Sequence, residues 1–268
     1  MDKKKTGDAA AALLAHRISL RAAPADTPSR ALPTAAEVVG SDAMPANAQE
    51  AYALQDALIR QSGAVAGWKV GGARAPEPNC APVFASVFWN DKHPLPFEIA
   101  PDTEFECEVA YTFTRDLPPR ARPYTEDEVI AAIGGTSAAV ELLAPRFAAP
   151  TTNSELLANL ADGLGCGGLL VGQPGAGYRE VDCASQPVKV TADGSVALER
   201  VGGNLATRLM PLVCWLANHL AARELHLRAG QIVTTGSWTG VRAWGTCRHV
   251  TADFPGIGCV ELRPTLAA

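Results

Sequence analysis

No apolar run in the chain approaches the roughly 18 residues that a membrane-crossing helix needs, so no bilayer-spanning segment is expected. The short run AAAALLA near the N-terminus passes directly into HRISLRAA, the pattern of an amphipathic helix and not of a signal peptide. Nor is there a CxxC pair. The seven cysteines, at 80, 107, 166, 183, 214, 247 and 259, are odd in number and scattered. Neither a zinc site nor a disulfide framework is indicated, and a reducing cytoplasm is the expected compartment. Basic residues are outnumbered, 23 Lys and Arg against 28 Asp and Glu, for a net charge of -5. Only KKK at residues 3–5 is locally basic, and it reads as a solvated tail. A nucleic-acid partner is excluded on that charge pattern. No internal repeat occurs.

What is present is an ordinary globular balance, 47% hydrophobic and 19% charged over 268 residues. That length fits one large domain, or a domain with a small N-terminal piece, and suffices for a substantial core. Spacing predicts helices over residues 9–22 and from Asn47 to Gly63, with a Pro/Ala/Ser-rich linker between them. VAGWKVGG, PVFASVFW and FECEVAYTF read as strands. YTEDEVIAAIGG reads as a helix with capping-box spacing at Thr125 and Glu128, ended by Gly134 and Gly135. TSAAVELLAPRF is a buried strand, NSELLANLADG a helix, GGLLVG a strand, and PVKVTADGSVALER a hairpin turning at Asp193-Gly194. A long helix is expected from Leu205 to Arg223, followed by a strand-rich C-terminal part. Many short strands with a few helices predict a mixed α+β domain.

Four features carry possible chemistry. In TEFECEVAYTF, Glu106 and Glu108 share one face of a strand, because residues two apart point the same way. Two like charges held side by side are costly unless something positive neutralises them, which leaves either a half-exposed acidic face or a bound divalent cation. Glu141, inside AAVELLA, would lose its hydration unless paired, and Arg146 is the local candidate partner. Joined to the other two carboxylates, it would complete an oxygen site suited to Mg²⁺ or Mn²⁺. Lys69, in GWKVGG, either snorkels to water or serves proton transfer or carboxylate binding. Finally, residues 163–168 satisfy GxGxxG, yet a helical pattern precedes them and a strand follows. Dinucleotide binding needs the reverse order, so these glycines are expected to make a tight turn lining a pocket, with no organic cofactor.

Together these segments resemble the fumarylacetoacetate hydrolase superfamily, in its 2-keto-4-pentenoate hydratase and 4-oxalocrotonate decarboxylase branch. The resemblance runs through EAYALQ, GWKVGG, FECEVAY, VELLAPRF, GQIVTTGSWTG and GIGCVEL, in that order. It implies a mixed β-roll with surrounding helices over residues 66–268 and a small helical region over 1–65. It implies Glu106, Glu108 and Glu141 as ligands to Mg²⁺ or Mn²⁺, and Lys69, Asp162 and Ser237 as catalytic or pocket residues. The implied activity is hydration of a 2-hydroxy-2,4-dienoate in aromatic catabolism. Decarboxylation of a 2-oxo-enedioate, or ligand binding without catalysis, stand as alternatives. A homo-oligomer that associates with another enzyme of the pathway is also implied. The superfamily's hydrolases pair a His with a Glu three residues later. None of the histidines, at 16, 93, 219, 226 and 249, has that partner. His16 and His93 read as surface residues. The branch's ADNAS-like segment is ADGLG at residues 161–165, retaining only Asp162, and Glu77 is the nearest counterpart of a further acidic residue.

Overall fold

Two long strands, Glu104–Phe113 and Ile133–Leu143, pair antiparallel along their whole length. The computed structural model describes residues 1–22, 31–72, 76–90, 95 and 99–264; His93 and residues 23–30 of the Pro-rich linker lie outside them, and the rest of that linker is not all loop but carries a short helix over Ala35–Val39. In chain order the strands are β1 Val65–Gly71, β2 Asn79–Phe84, β3 Phe88–Asn90, β4 Glu104–Phe113, β5 Ile133–Leu143, β6 Cys166–Val171 and β7 Gly175–Ala176. They continue as β8 Pro187–Ala192, β9 Ser195–Val201, β10 Ile232–Ser237, β11 Arg242–Ala243, β12 Val250–Phe254 and β13 Gly258–Leu262. The helices are α1 Lys3–Ala22, α2 Ala35–Val39, α3 Ala48–Ser62, α4 Glu126–Ile130, α5 Asn153–Ala161 and α6 Met210–Ala222.

The larger sheet is mixed, in the order β2-β1-β10-β4-β5-β6-β3, with β11 on the edge of β4 and β7 on β5. β1 runs parallel to β10 and β3 to β6; the other pairs are antiparallel. A smaller antiparallel sheet, β13-β12-β8-β9, packs against β5. The result is a curled mixed sheet surrounded by helices, as expected for the β-roll. Leu13 of α1 and Leu54 and Leu58 of α3 are wholly buried in the same apolar cluster as Val109 and Val140 of the sheet. Among the described residues no helix is long and apolar enough to cross a membrane. None of the seven cysteines forms a disulfide.

Local signals account for most boundaries. Thr125 and Glu128 form the expected reciprocal cap, and Asp193 and Gly194 take positive φ at the hairpin turn. Three expectations are corrected. The KKK stretch is not a tail: it opens α1, where Lys4 pairs with Asp8 at 2.7 Å and Lys5 with Asp42 at 2.9 Å. Gly134 and Gly135 do not end α4 but sit inside β5. A Cβ there would come within 2.1 Å of Thr114 and 2.7 Å of Pro174 respectively, so close approach of neighbouring chain demands glycine. Finally, α6 starts at Met210 and not Leu205, because Pro211 fits only the first turn of a helix. Leu205 is left exposed, while Asn204 bonds the carbonyls of Thr235 and Gly236.

Candidate active site

Strand pairing brings three carboxylates to one place. Glu106 lies directly opposite Glu141 across the β4–β5 ladder, and Glu108 follows two residues on, on the same face. One oxygen from each lies within 4.8 Å of the others. Glu108 and Glu141 are buried, whereas Glu106 is half-buried and Glu104, the next residue on that face, is exposed. The carboxylates thus run from solvent into the sheet.

Lys69 reaches them from β1. Its Nζ donates to Glu141 Oε1 and, at 3.3 Å, to the carbonyl oxygen of Leu164. The sequence-level partner for Glu141, Arg146, is therefore replaced by a lysine 72 residues away. Burial, the largest single influence, would lower the lysine's pKa, but the charge and hydrogen bond of Glu141, with Cys166 and Glu108 beside it, together outweigh it and hold Lys69 above its ordinary value. Burial pushes Glu108 up to about 8, with Glu141 adding to the rise and the backbone N–H of Gly236, donating at 2.8 Å, opposing it. Glu106 is also raised, chiefly by burial and then by Glu141. Three carboxylates facing one ammonium leave an excess of negative charge in a water-poor place, and hard carboxylate oxygens are what Mg²⁺, Mn²⁺ or Ca²⁺ take as ligands. The donor set therefore fits a divalent cation.

Ser237 pairs with Glu108 at a β-bulge where Gly236 has φ 90°, and its buried hydroxyl makes no aligned hydrogen bond. Two residues that sequence reasoning passed over share this property. Ser137 and Thr234 flank Ala110 across the β5-β4-β10 register, on the face that carries Glu108, and both hydroxyls are buried without a protein partner. Their signal was parity: Ser137 lies four residues before Glu141 in a buried strand.

Asp162 is placed apart. It closes α5, and its two carboxylate oxygens are taken by guanidinium groups: Arg17 Nε reaches Oδ1 at 2.9 Å, and Arg146 Nε donates to Oδ2. The Asp162 carbonyl also accepts from Arg146 Nη2 at 2.8 Å. The clamp fixes the start of a turn in which Gly163, Leu164 and Gly165 all have positive φ, and this turn presents the Leu164 carbonyl to Lys69. Asp162 is thus outside the group of three glutamates and is linked to Lys69 through the Leu164 turn. His16, expected on the surface, is half-buried, stacked on Phe147 with Nε2 2.8 Å from the Arg146 carbonyl. His219 lies within α6. Glu77 is exposed.

The curled sheet and its helices are the fold of the fumarylacetoacetate hydrolase-like proteins. The chain superposes on 4-oxalocrotonate decarboxylase from Pseudomonas putida G7, complexed with calcium and acetate, with a TM-score of 0.76 over 99% of both chains at 18% identity. The same enzyme complexed with magnesium and adipate gives 0.75. A 2-hydroxyhepta-2,4-diene-1,7-dioate isomerase from Mycobacterium marinum gives 0.51 over 75% of each chain at 16% identity. No family model matches the chain. Among curated proteins it is similar to the 2-keto-4-pentenoate hydratase of Paraburkholderia phymatum, 27% identical over 188 residues and 69% of each chain. It is also similar to a 4-oxalocrotonate decarboxylase of Pseudomonas putida, 27% identical over 136 residues and 51% of each. The resemblance read from the motifs is borne out in both fold and relatives.

Proposed function

We propose that the protein is a divalent-metal-dependent hydratase that adds water to a 2-hydroxy-2,4-dienoate. The observation that carries this is the convergence of Glu106, Glu108 and Glu141, with Lys69 held against them. The three glutamates would hold Mg²⁺ or Mn²⁺, which when bound supplies Lewis acidity to the carboxylate and C2 oxygens of a 2-oxo or 2-hydroxy acid. Lys69, a cation at the edge of the cluster, holds the substrate carboxylate or moves the proton that leaves the C2 hydroxyl. Ketonisation, with a proton delivered to C5, then moves the double bond to C3–C4 in conjugation with the ketone, and water adds across it, OH at C4 and H at C3, to give a 4-hydroxy-2-oxo acid. Ser137 and Thr234 offer buried hydroxyls with no competing protein partner, and Ser237 a hydroxyl beside the Glu106 carboxylate, suited to hold that water or a substrate oxygen. Asp162 positions the Leu164 turn and does not touch the reacting atoms.

The curated decarboxylase relative favours a second reading, loss of CO₂ from a 2-oxo-enedioate, since both reactions use the same electron sink at C2. Purified protein incubated with 2-hydroxypenta-2,4-dienoate and Mg²⁺ tests the first. Decay of the dienol absorbance above the spontaneous rate, with 4-hydroxy-2-oxopentanoate formed, is expected. An unchanged rate refutes it, and CO₂ released from a dicarboxylic substrate instead supports decarboxylation. With this activity goes a cytoplasmic homo-oligomer acting in aromatic catabolism beside another enzyme of the route.

A further inference from the structure

One register step outward from the Glu106–Glu141 pair, Glu104 lies opposite Leu143 on the same face of the sheet. Both line an open cavity of ≈ 660 Å³, with Glu104, Pro145, Pro150 and Leu156 exposed at its mouth. Its walls include Phe147, Leu156, Asn159 and Leu164. Leu164 belongs to both places: its carbonyl accepts from Lys69, and the residue forms part of the cavity wall. Site and cavity therefore share the Leu164 turn, and they are joined along one sheet face by a single step of about 7 Å.

The cavity's charge is one-sided. Among its described lining residues Glu104 alone is charged, and none is Lys, Arg or His. Arg146 follows Pro145 of the wall in sequence, but its guanidinium is spent on Asp162 and on the carbonyls of Ala144 and Cys166. Arg17 is likewise committed to Asp162. A second carboxylate placed here would meet the like charge of Glu104 and no cation, whereas an alkyl or aryl chain would meet leucine, phenylalanine and proline.

We infer that the far end of the substrate, beyond the 2-oxo acid headgroup held at the glutamates, is an uncharged apolar chain housed in this cavity. The inference rests on the proposed headgroup site and narrows it: a 2-hydroxy-2,4-dienoate bearing an alkyl or aryl substituent is accepted, and a dienedioate is not. It also explains the ADGLG segment. Gly163 and Gly165, both with positive φ, allow Leu164 to turn its carbonyl to Lys69 while the residue lines the apolar wall.

Calorimetric titration of the Mg²⁺-loaded full chain with 2-oxononanoate, 2-oxohexanoate and 2-oxoadipate needs no turnover. Each fully buried methylene strengthens binding about fourfold. 2-Oxononanoate is therefore expected to bind at least about tenfold more tightly than 2-oxohexanoate, and 2-oxoadipate more weakly than either. Leu156 is 56% exposed on α5, so Leu156→Arg is tolerated by the fold and supplies the missing cation. It should narrow the gap between 2-oxononanoate and 2-oxoadipate at least about tenfold. Equal or tighter binding of 2-oxoadipate by the unaltered protein overturns the inference and leaves the headgroup site standing. The expected ranking without any dienoate turnover removes the hydratase activity and leaves the apolar chain in place. If Leu156→Arg changes the sedimentation coefficient but not the ligand ranking, the cavity is a contact between copies of the chain and the inference fails.

Discussion

Replacing Asp162 by Asn should destabilise the fold strongly without acting on chemistry directly. Its carboxylate is 3% exposed and answers two guanidinium groups, Arg17 at 14% and Arg146 at 7%. The amide keeps the shape and one acceptor oxygen but removes the only described carboxylate bonded to either arginine. Breaking a buried ion pair by removing one partner costs about 3–5 kcal/mol, because the other charge is left desolvated and uncompensated. The retained amide oxygen argues for the lower end, about 3 kcal/mol, which for a chain of this size lowers the melting temperature by roughly 6–12 °C. Thermal and urea unfolding of Asp162→Asn against the unaltered protein measures it. The control is Glu126→Gln, which removes a 2.8 Å surface pair with Arg208 and should cost at most about 1 kcal/mol. A loss below about 1 kcal/mol for Asp162→Asn refutes the clamp and reopens a direct catalytic role for this aspartate.

Lys69→Met removes the cation beside Glu141, so divalent-metal affinity should be kept or raised while turnover falls on the order of 10²–10⁴-fold; metal binding lost along with activity contradicts this. Glu104→Gln relieves like charge near Glu106 without touching the ligand set, so binding of 2-oxoadipate should strengthen several-fold by calorimetry while metal stoichiometry is unchanged. His219 is stacked on Trp215, with ring centroids 4.5 Å apart. Burial, and then Arg223, pushes it down to about 4 from 6.5. A folded pKa below the unfolded one means that its contribution is complete above the unfolded value and is lost as pH falls from about 6.5 towards about 4. His219→Gln should flatten the urea-stability profile across that window, and an unchanged slope refutes the assignment.

The parity of Glu106, Glu108 and Glu141 was legible because a strand's two-residue period fixes which side chains share a face. The cap at Thr125 was legible because a capping box needs only Thr125 and Glu128, three residues apart. Gly134 and Gly135 were misread because the same residue type ends helices and permits close packing, and only Thr114 and Pro174, brought near by folding, decide between the two. The start of α6 was misplaced by following leucine spacing past Pro211. Long-range pairing left no local trace at all. Lys69 meets Glu141 only because β10 and β4 intervene in the sheet order, and Arg17 meets Asp162 from 145 residues away. The partnerless hydroxyls of Ser137 and Thr234 likewise emerge only once the register of three strands is known.

The central claim is that Glu106, Glu108 and Glu141 together hold one divalent cation. Calorimetric titration of Mg²⁺ and Mn²⁺ into the unaltered protein should show one ion per chain. Glu106→Gln, Glu108→Gln and Glu141→Gln should each weaken binding by more than the roughly 10–100-fold that loss of an outer-shell partner causes, and Glu126→Gln should leave it unchanged. The bound metal should also raise the melting temperature of the unaltered protein and not of the three cluster variants, since binding to the folded state alone stabilises it. Equal metal affinity in the unaltered protein and Glu106→Gln contradicts the account and returns the β4 carboxylates to an acidic strand face.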